Sequence, residues 1–158
     1  RKVGDQYYAM VSPVMIDAKN PLYSVNGVFN AIFIHGNVLG DAMFYGSGAG
    51  KLPTASAVVA DVVDCAKNKG RNIMMSWSEE KLDLLQIDDV KSRFFVRVSG
   101  HAAERQSEIE ELFGKVEIVA VPSLSEEFAF ITGEITEQEY REKAEKLDGI
   151  QSRIRARI

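Results

Sequence analysis

A strand-to-helix turn decides how the first part of this chain folds, and its sequence is Tyr45-Gly-Ser-Gly-Ala-Gly-Lys-Leu-Pro-Thr-Ala-Ser-Ala-Val-Val59. Three alternate glycines let the backbone adopt positive φ angles and let another molecule approach the main chain closely. Pro53 suits the first turn of a helix, where its missing N–H costs nothing. Because the first N–H groups of a helix are unpaired and carry partial positive charge, the turn predicts a place for an anionic or polar ligand. The alternative is a flexible strand-to-helix connection that binds nothing.

The glycine spacing fits neither of the two standard phosphate-binding motifs. A P-loop, Gly-x-x-x-x-Gly-Lys-[Ser/Thr], requires glycine where this chain has Tyr45 and a hydroxyl residue where it has Leu52. The dinucleotide fingerprint Gly-x-Gly-x-x-Gly also fails, because the spacing here is Gly-x-Gly-x-Gly. The turn is therefore not the primary cradle of a dinucleotide.

The regions on either side of the turn have regular patterns. Residues 6–16, 28–35 and 38–45 are predicted strands, and the last two are predicted to join at Gly36-Asn37 as a tight hairpin. A helix is predicted from Pro53 to about Lys67. Its apolar residues form one stripe: Ala55, Val58, Val59, Val62 and Ala66.

A longer composite motif surrounds the turn over residues 8–66. It consists of Pro21-Leu22, Val25, Gly27-Val-Phe-Asn30, Gly48-Ala-Gly50 and Pro53-Thr-Ala-Ser-Ala57. This composite motif closely resembles the end of the catalytic domain of homoserine dehydrogenases. The resemblance implies an NAD- or NADP-dependent oxidoreductase that interconverts L-homoserine and L-aspartate 4-semialdehyde in threonine and methionine biosynthesis.

The resemblance also implies which residues contact the cofactor. Gly50 is the first candidate, and Gly48 and Thr54 follow. The catalytic lysine and the acidic substrate-binding residues of that family lie upstream of the segment that matches here, so no catalytic residue is expected in this chain. We expect a C-terminal fragment that has no dehydrogenase activity by itself, since most of the dinucleotide site would also lie upstream.

Composition excludes several other classes of function. The chain has 158 residues, of which 46% are hydrophobic, with no apolar run long enough to span a membrane. Its net charge of −4 argues against nucleic acid as a partner. With one cysteine, Cys65, and two histidines far apart in sequence, we expect no zinc or other metal site, no internal disulfide, and a cytoplasmic location.

The last third of the chain has a different pattern. Predicted strands at 93–99, 116–121, 127–133 and 150–158 alternate with helices that begin near Glu104 and after Thr136. Thr136-Glu-Gln-Glu139 has the form of a capping box. The alternation Arg153-Ile-Arg155-Ala-Arg157 is interpreted as the polar face of a strand rather than a basic binding site. The predicted order is β-α-β-β-α-β, which is the ferredoxin-like arrangement.

This pattern, following the homoserine dehydrogenase-like segment, resembles the ACT domain, a small regulatory module that often pairs with another copy and binds an amino acid. The resemblance makes threonine a possible effector and places its site at Gly100 and His101, between the first strand and the first helix. The usual Asp-x-Pro-Gly turn is absent, because the sequence there is Ser99-Gly-His-Ala-Ala-Glu-Arg-Gln-Ser107. A purely structural module that forms dimers and binds no small molecule stays the alternative.

The predicted fold class is therefore α+β: a partial antiparallel or mixed sheet with one helix from the catalytic domain, followed by a ferredoxin-like domain. The predicted boundaries are 1–67 for the catalytic part, 68–91 for a linker and 92–158 for the ACT-like domain. Trp77 is predicted to be a packing anchor in the linker, together with Ile73, Met74 and Met75. Because the strands of the first part lack sheet neighbours, we expect a homo-oligomer, at least a dimer.

Overall fold

The computed structural model describes residues 1–71 and 76–158, which form two compact units. The smaller unit is Ala18–Glu80, and the larger unit combines Arg1–Asp17 with Lys81–Ile158. The strands are β1 (Lys2–Val3), β2 (Gln6–Tyr7), β3 (Val14–Ile16), β4 (Phe29–Gly36), β5 (Gly40–Ser47), β6 (Lys91–Ser99), β7 (Glu117–Val119), β8 (Glu127–Ile131), β9 (Ile135–Thr136) and β10 (Ile150–Arg157). The helices are α1 (Lys51–Lys67), α2 (Ala102–Phe113) and α3 (Glu137–Ala144), with short 3-10 turns at Pro21–Ser24 and Ile87–Asp89. The predicted α+β class is confirmed.

The larger unit is built on one mixed sheet with the strand order β3-β10-β6-β8-β7. Strand β3 runs parallel to β10, and the other pairs are antiparallel. Between β6 and β10 the chain follows the β-α-β-β-α-β order that the sequence predicts, with the short β9 added before α3 and paired to β6. Strand β10 therefore lies between β3 and β6, although both are far from it in the sequence.

The core of the larger unit lies between one face of the sheet and the two helices α2 and α3. Alternate residues of β6 point into it, because successive side chains of a strand face opposite sides. The core side chains include Phe94, Val96, Val98, Ile109, Phe113, Phe130 and Tyr140. Phe95 and Arg97 consequently belong to the opposite face, which carries neither helix.

Local sequence signals explain where α2 ends and where α3 begins. Gly114 follows α2 with a φ of 76°, a conformation that favours glycine. At the start of α3 the predicted capping box is confirmed: the Glu139 N–H donates to Thr136 Oγ1 at 3.1 Å, and the Thr136 N–H donates to Glu139 Oε2 at 2.7 Å. The end of α2 and the start of α3 could therefore be predicted from the sequence.

In the smaller unit, β4 and β5 form an antiparallel hairpin in which Phe29 pairs with Ser47 and Gly36 with Gly40. Three residues, 37–39, connect the strands, so the predicted tight turn at Gly36-Asn37 is one residue too short and Val38 lies outside the strand. The positive φ of Gly40, 76°, accounts for the longer connection, because it permits a bulge-like turn before β5.

The predicted strand at 6–16 is wrong in its extent. Only Gln6–Tyr7 and Val14–Ile16 are strands, and residues 8–13 belong to neither. Pro13 has no N–H to donate to a ladder, which limits how far toward the N-terminus β3 can extend. Strand β2 instead pairs back on β1 around Gly4, whose φ is 59°.

The compact units differ from the predicted boundaries at 67/68 and 91/92. Residues 1–17 lie with the C-terminal part because β3 pairs with β10, with Arg155 opposite Val14. The segment just before β6 is held there too, since the Tyr7 N–H donates to the carbonyl of Asp83 at 3.1 Å. The smaller unit is thus an insertion between β3 and residue 81 of the larger one.

Two further expectations concern side chains. Trp77 is 85% exposed, so the expected packing anchor is wrong for this residue, while Ile73, Met74 and Met75 lie outside the described residues. The alternation along β10 places Arg153 and Arg155 on the helix-bearing side, where both pair with the carboxylate of Glu137. The interpretation of Arg153 and Arg155 as a plain polar face was wrong, because a buried carboxylate requires cationic partners.

Candidate functional site

The glycine turn joins the end of β5 to the start of α1 through Gly48, Ala49 and Gly50. Gly50 is the N-cap residue of α1, with φ 115° and ψ 159°, a backbone conformation open almost only to glycine. Its carbonyl accepts the N–H of Thr54 at 3.2 Å, which starts the helix. The helix therefore begins at Lys51, two residues earlier than predicted, and Pro53 lies in its first turn.

Gly48 is held against the side chain of Asn30 on the neighbouring strand. A Cβ added to Gly48 would lie 2.7 Å from Asn30 Nδ2, closer than real Cβ contacts. Gly46, by contrast, faces open space, although it pairs directly with Asn30 in the hairpin. A side chain at position 48 would therefore require the Asn30 side chain to shift, whereas a Cβ at position 46 would contact nothing.

The charge near the turn suits an anionic group. The first turn of α1 carries no acidic residue, and its first residue is Lys51. The partial positive charge of the helix N-terminus adds to that of the lysine ammonium. Residues 46–50 are exposed, so a phosphate or ribose can approach the main chain from solvent.

The three predicted cofactor residues are brought together by this turn. Gly48 and Gly50 are two residues apart, and Thr54 lies one helical turn beyond Gly50. Because the Thr54 N–H is donated to the Gly50 carbonyl, a ligand would meet the Thr54 hydroxyl rather than its N–H. Asn30 was not among the predicted site residues, although its position at the end of Gly27-Val-Phe-Asn30 was the available signal.

The predicted effector residues lie in the turn between β6 and α2. Gly100 has a φ of 102° and donates its N–H to the Glu126 carbonyl at 2.9 Å. His101 is the N-cap residue of α2. The Arg105 side chain folds back over this turn, donating from Nη1 to the Ser99 carbonyl at 3.0 Å. The side chain of Arg105 therefore lies against this turn. No sequence pattern predicted a role for Arg105.

Few other groups in the described part of the chain suggest chemistry. Within residues 1–71 and 76–158, no group of three or more His, Cys, Asp or Glu residues is placed to hold a metal ion. His35 and Asp41 form an exposed pair across the β4–β5 hairpin, with 2.5 Å between Nδ1 and Oδ1. Cys65 is exposed on α1. In the same described ranges, no helix has the length and apolar character needed to cross a bilayer.

Comparison with known proteins defines the class of the N-terminal part. Residues 1–63, which contain the glycine turn, match the family model described as homoserine dehydrogenase. This part of the chain is therefore similar to homoserine dehydrogenases. The match ends within α1, so it does not extend to β6–β10.

The chain is similar to several curated homoserine dehydrogenases. It is 42% identical over 94 residues to the protein of Lactococcus lactis, an alignment that covers 58% of this chain and 22% of that protein. It is 54% identical over 61 residues to that of Corynebacterium glutamicum, covering 39% of this chain and 14% of that protein. The alignments thus span 22% and 14% of the length of these two relatives.

Solved structures extend the similarity in fold to almost the whole chain. A homoserine dehydrogenase from Thiobacillus denitrificans superposes with a TM-score of 0.76 over 99% of this chain and 40% of that one, at 24% identity. A Staphylococcus aureus homoserine dehydrogenase gives a TM-score of 0.67 over 92% of this chain and 36% of that one, at 26% identity. The fold of both units therefore occurs in structures of that enzyme.

Proposed function

We propose that this chain is the C-terminal portion of a homoserine dehydrogenase, an oxidoreductase that interconverts L-homoserine and L-aspartate 4-semialdehyde with NAD or NADP. The observation that carries the proposal is the Gly48-Ala49-Gly50 turn at the start of α1, within the segment that matches the family. The nicotinamide cofactor supplies the hydride chemistry. The residues of this chain orient it, and the enzyme functions in threonine and methionine biosynthesis in the cytoplasm.

In this proposal Gly50, Gly48 and Thr54 contact the cofactor. The open backbone at the turn, the absence of first-turn acidic residues and the adjacent Lys51 support contact with an anionic part of the dinucleotide. The Asn30 side chain lies beside Gly48, and in this proposal it supports the shape of the turn. The catalytic groups belong to other segments of the enzyme, and the 158-residue chain alone is expected to be inactive.

A chimeric enzyme tests this function. This chain replaces the aligned C-terminal portion of the Lactococcus lactis homoserine dehydrogenase, and homoserine oxidation is measured with NAD and with NADP. We expect activity in the chimera, and a large loss when Gly50 is replaced by valine. A folded chimera that oxidises homoserine with neither cofactor would contradict the proposal, and the Gly46→Ala chimera serves as a matched control because Gly46 faces open space.

We further propose that β6–β10 form an ACT-like module that senses an amino acid such as threonine. The support is the β-α-β-β-α-β order with β6 in the centre of the sheet. In this proposal the effector lies at the turn containing Gly100 and His101. Calorimetric titration of the chain with threonine tests it, and the absence of both heat and a thermal shift at millimolar threonine would leave a structural, dimer-forming module as the better account.

Assembly into a homo-oligomer is supported by the smaller unit. Side chains of the hairpin and of α1 are widely exposed, including Ile32, Phe44, Val58, Val59 and Val62. Exposed apolar surface of this kind usually marks a contact with another protein surface. Sedimentation analysis is expected to give a dimer or larger species, and a monomer that binds no hydrophobic dye would contradict it.

A further inference from the structure

A hollow lies at the edge of the large sheet, where the pairing of β3 with β10 begins. Strand β3 pairs with β10 from Val14 onward, and Pro13 precedes this ladder without an N–H to extend it. The hollow has a volume of about 230 Å³ and is lined by Pro13, Arg153, Ile154 and Arg155. Because pockets for drug-sized ligands usually have about 300–1,000 Å³, this hollow suits a smaller ligand.

The two arginines of the hollow share the carboxylate of Glu137. Arg153 donates to it from Nη1, and Arg155 contacts it through Nε and Nη2. A guanidinium has five N–H groups, so each arginine keeps donors that Glu137 does not use. The hollow therefore combines spare donors with an excess of positive charge, since two arginines share one carboxylate.

Aromatic rings of the core hold the side chain of Arg153 in place. Its guanidinium carbon lies 4.8 Å from the centre of the Tyr140 ring and 5.3 Å from that of the Phe94 ring. The side chains of Arg153 and Arg155 are 36% and 17% exposed. Arginines that are already ordered lose less side-chain entropy when they bind an anion, and partial removal from water strengthens the attraction.

The row of arginines continues along β10. Arg157 follows Arg155 by two residues and therefore projects to the same side of the strand. It adds positive charge to the side on which Arg153 and Arg155 meet Glu137. The alternation Arg153-Ile-Arg155-Ala-Arg157, which the sequence analysis did not interpret as a basic binding site, thus has the properties of one.

We propose that this hollow binds a phosphate group, with Arg153 and Arg155 donating to different oxygens of it. A phosphate group offers at least three strong acceptor oxygens, whereas a carboxylate offers two, so a phosphate reaches two separate guanidiniums more readily. Glu137 holds both guanidiniums from the α3 side while the phosphate accepts from their remaining donors. The apolar residues Pro13 and Ile154 leave a surface for the organic part of a phosphate ester. This proposal does not depend on the oxidoreductase function, because binding is measured without cofactor or homoserine.

The test is a titration of the full 158-residue chain with inorganic phosphate, followed by NMR of the arginine Nε–H groups at constant ionic strength. We expect saturable shifts of the Arg153 and Arg155 signals and none of Arg97, whose exposed pair with Glu127 lies on the other face of the sheet. Acetate should bind more weakly by about tenfold.

A second titration, with phenyl phosphate, identifies the source of the phosphate group. Binding tighter than that of inorganic phosphate assigns the site to the phosphoryl group of an organic compound that also contacts Pro13 and Ile154. Equal or weaker binding assigns the site to free phosphate.

Variants distinguish a binding role from a purely structural one. Arg153→Gln leaves Arg155 paired with Glu137 and is expected to weaken phosphate binding by about tenfold or more, whereas Arg97→Gln leaves it unchanged. Glu137→Gln removes the anion that shares the two guanidiniums, so phosphate should bind about tenfold more tightly and raise the thermal midpoint more than in the native chain.

Four results would overturn the proposal. They are the lack of a saturable shift at Arg153 and Arg155 in the folded chain, equal binding of acetate, equal weakening by Arg97→Gln, and weaker phosphate binding in folded Glu137→Gln. A purely structural cluster of charges gives the first of these results, and a general response to anions gives the second and third.

Discussion

Glu137 and Arg155 form a buried ion pair that joins the start of α3 to the last strand of the sheet. Arg155 Nε donates to Glu137 Oε1 at 2.5 Å, and the glutamate is only 4% exposed. Arg153 completes the arrangement, donating from Nη1 to Glu137 Oε2 at 2.8 Å while its guanidinium lies 4.8 Å from the centre of the Tyr140 ring. One carboxylate thus pairs with two arginines that lie two residues apart on the same side of β10.

Replacing Glu137 by leucine is expected to destabilise the larger unit by about 2–3 kcal/mol, because two arginines lose their partner while remaining partly buried. The measurement is amide hydrogen exchange in β6, which reports opening of that unit. Glu142→Gln, on the exposed side of the same helix, is the control and should change stability by less than about 0.5 kcal/mol. Equal exchange rates in the two variants would show that the pair contributes nothing to stability.

The capping box at α3 predicts a stability change on removal of one hydroxyl. Thr136→Ala removes the acceptor for the Glu139 N–H and should cost about 1 kcal/mol. Thr136→Ser keeps the acceptor and should be close to neutral. Chemical denaturation of the two variants side by side decides this, and an equal loss in both would point to the threonine methyl instead of the cap.

The same cap predicts a dependence on pH. The hydrogen bond from the Thr136 N–H holds the pKa of Glu139 below its ordinary value of 4.5. A depressed pKa means that the stabilisation is present above the unfolded value, about 4.5, and is lost as the pH falls through the folded value. The protection of amides at the start of α3 from hydrogen exchange, corrected for the slower intrinsic exchange at low pH, should therefore decrease on acidification in the native chain. It should show no such step in Glu139→Gln, and a step that persists in that variant would assign the effect to another carboxyl group.

The close contact between Gly48 and Asn30 predicts a coupled pair of substitutions. Gly48→Ala places a Cβ 2.7 Å from Asn30 Nδ2 and should displace the asparagine side chain and the turn. Asn30→Ala removes the obstacle, so the double variant should recover most of the stability lost in Gly48→Ala. A double-mutant cycle measures the coupling, and purely additive effects would mean that the two side chains do not interact.

The exposure of Trp77 gives a direct optical test. As the single tryptophan of the chain and 85% exposed, it should emit at the long wavelengths of free indole and be quenched readily by acrylamide. Emission at short wavelength, with little quenching, would mean that another protein surface covers Trp77. Repeating the measurement over a range of protein concentrations separates association between copies from packing within one chain.

The sequence by itself determined the features that depend on neighbouring residues. The glycine turn before α1, the Thr136 capping box and the β-α-β-β-α-β order all follow from local signals: φ requirements of glycine, a hydroxyl acceptor at a helix start, and side-chain period. Such signals act over a few residues, which is why they could be recognised without knowing what the segment contacts. The resemblance to homoserine dehydrogenases came from residues 8–66, which contain the glycine turn.

Tertiary structure alone decided the features that join distant segments. The pairing of β3 with β10 joins Val14 to Arg155 across most of the chain, and no local pattern specifies the partner of a short strand. The same holds for Glu137 beside Arg153 and Arg155. Burial and charge pairing depend on which residues the fold brings into contact. No local sequence pattern could therefore predict these contacts.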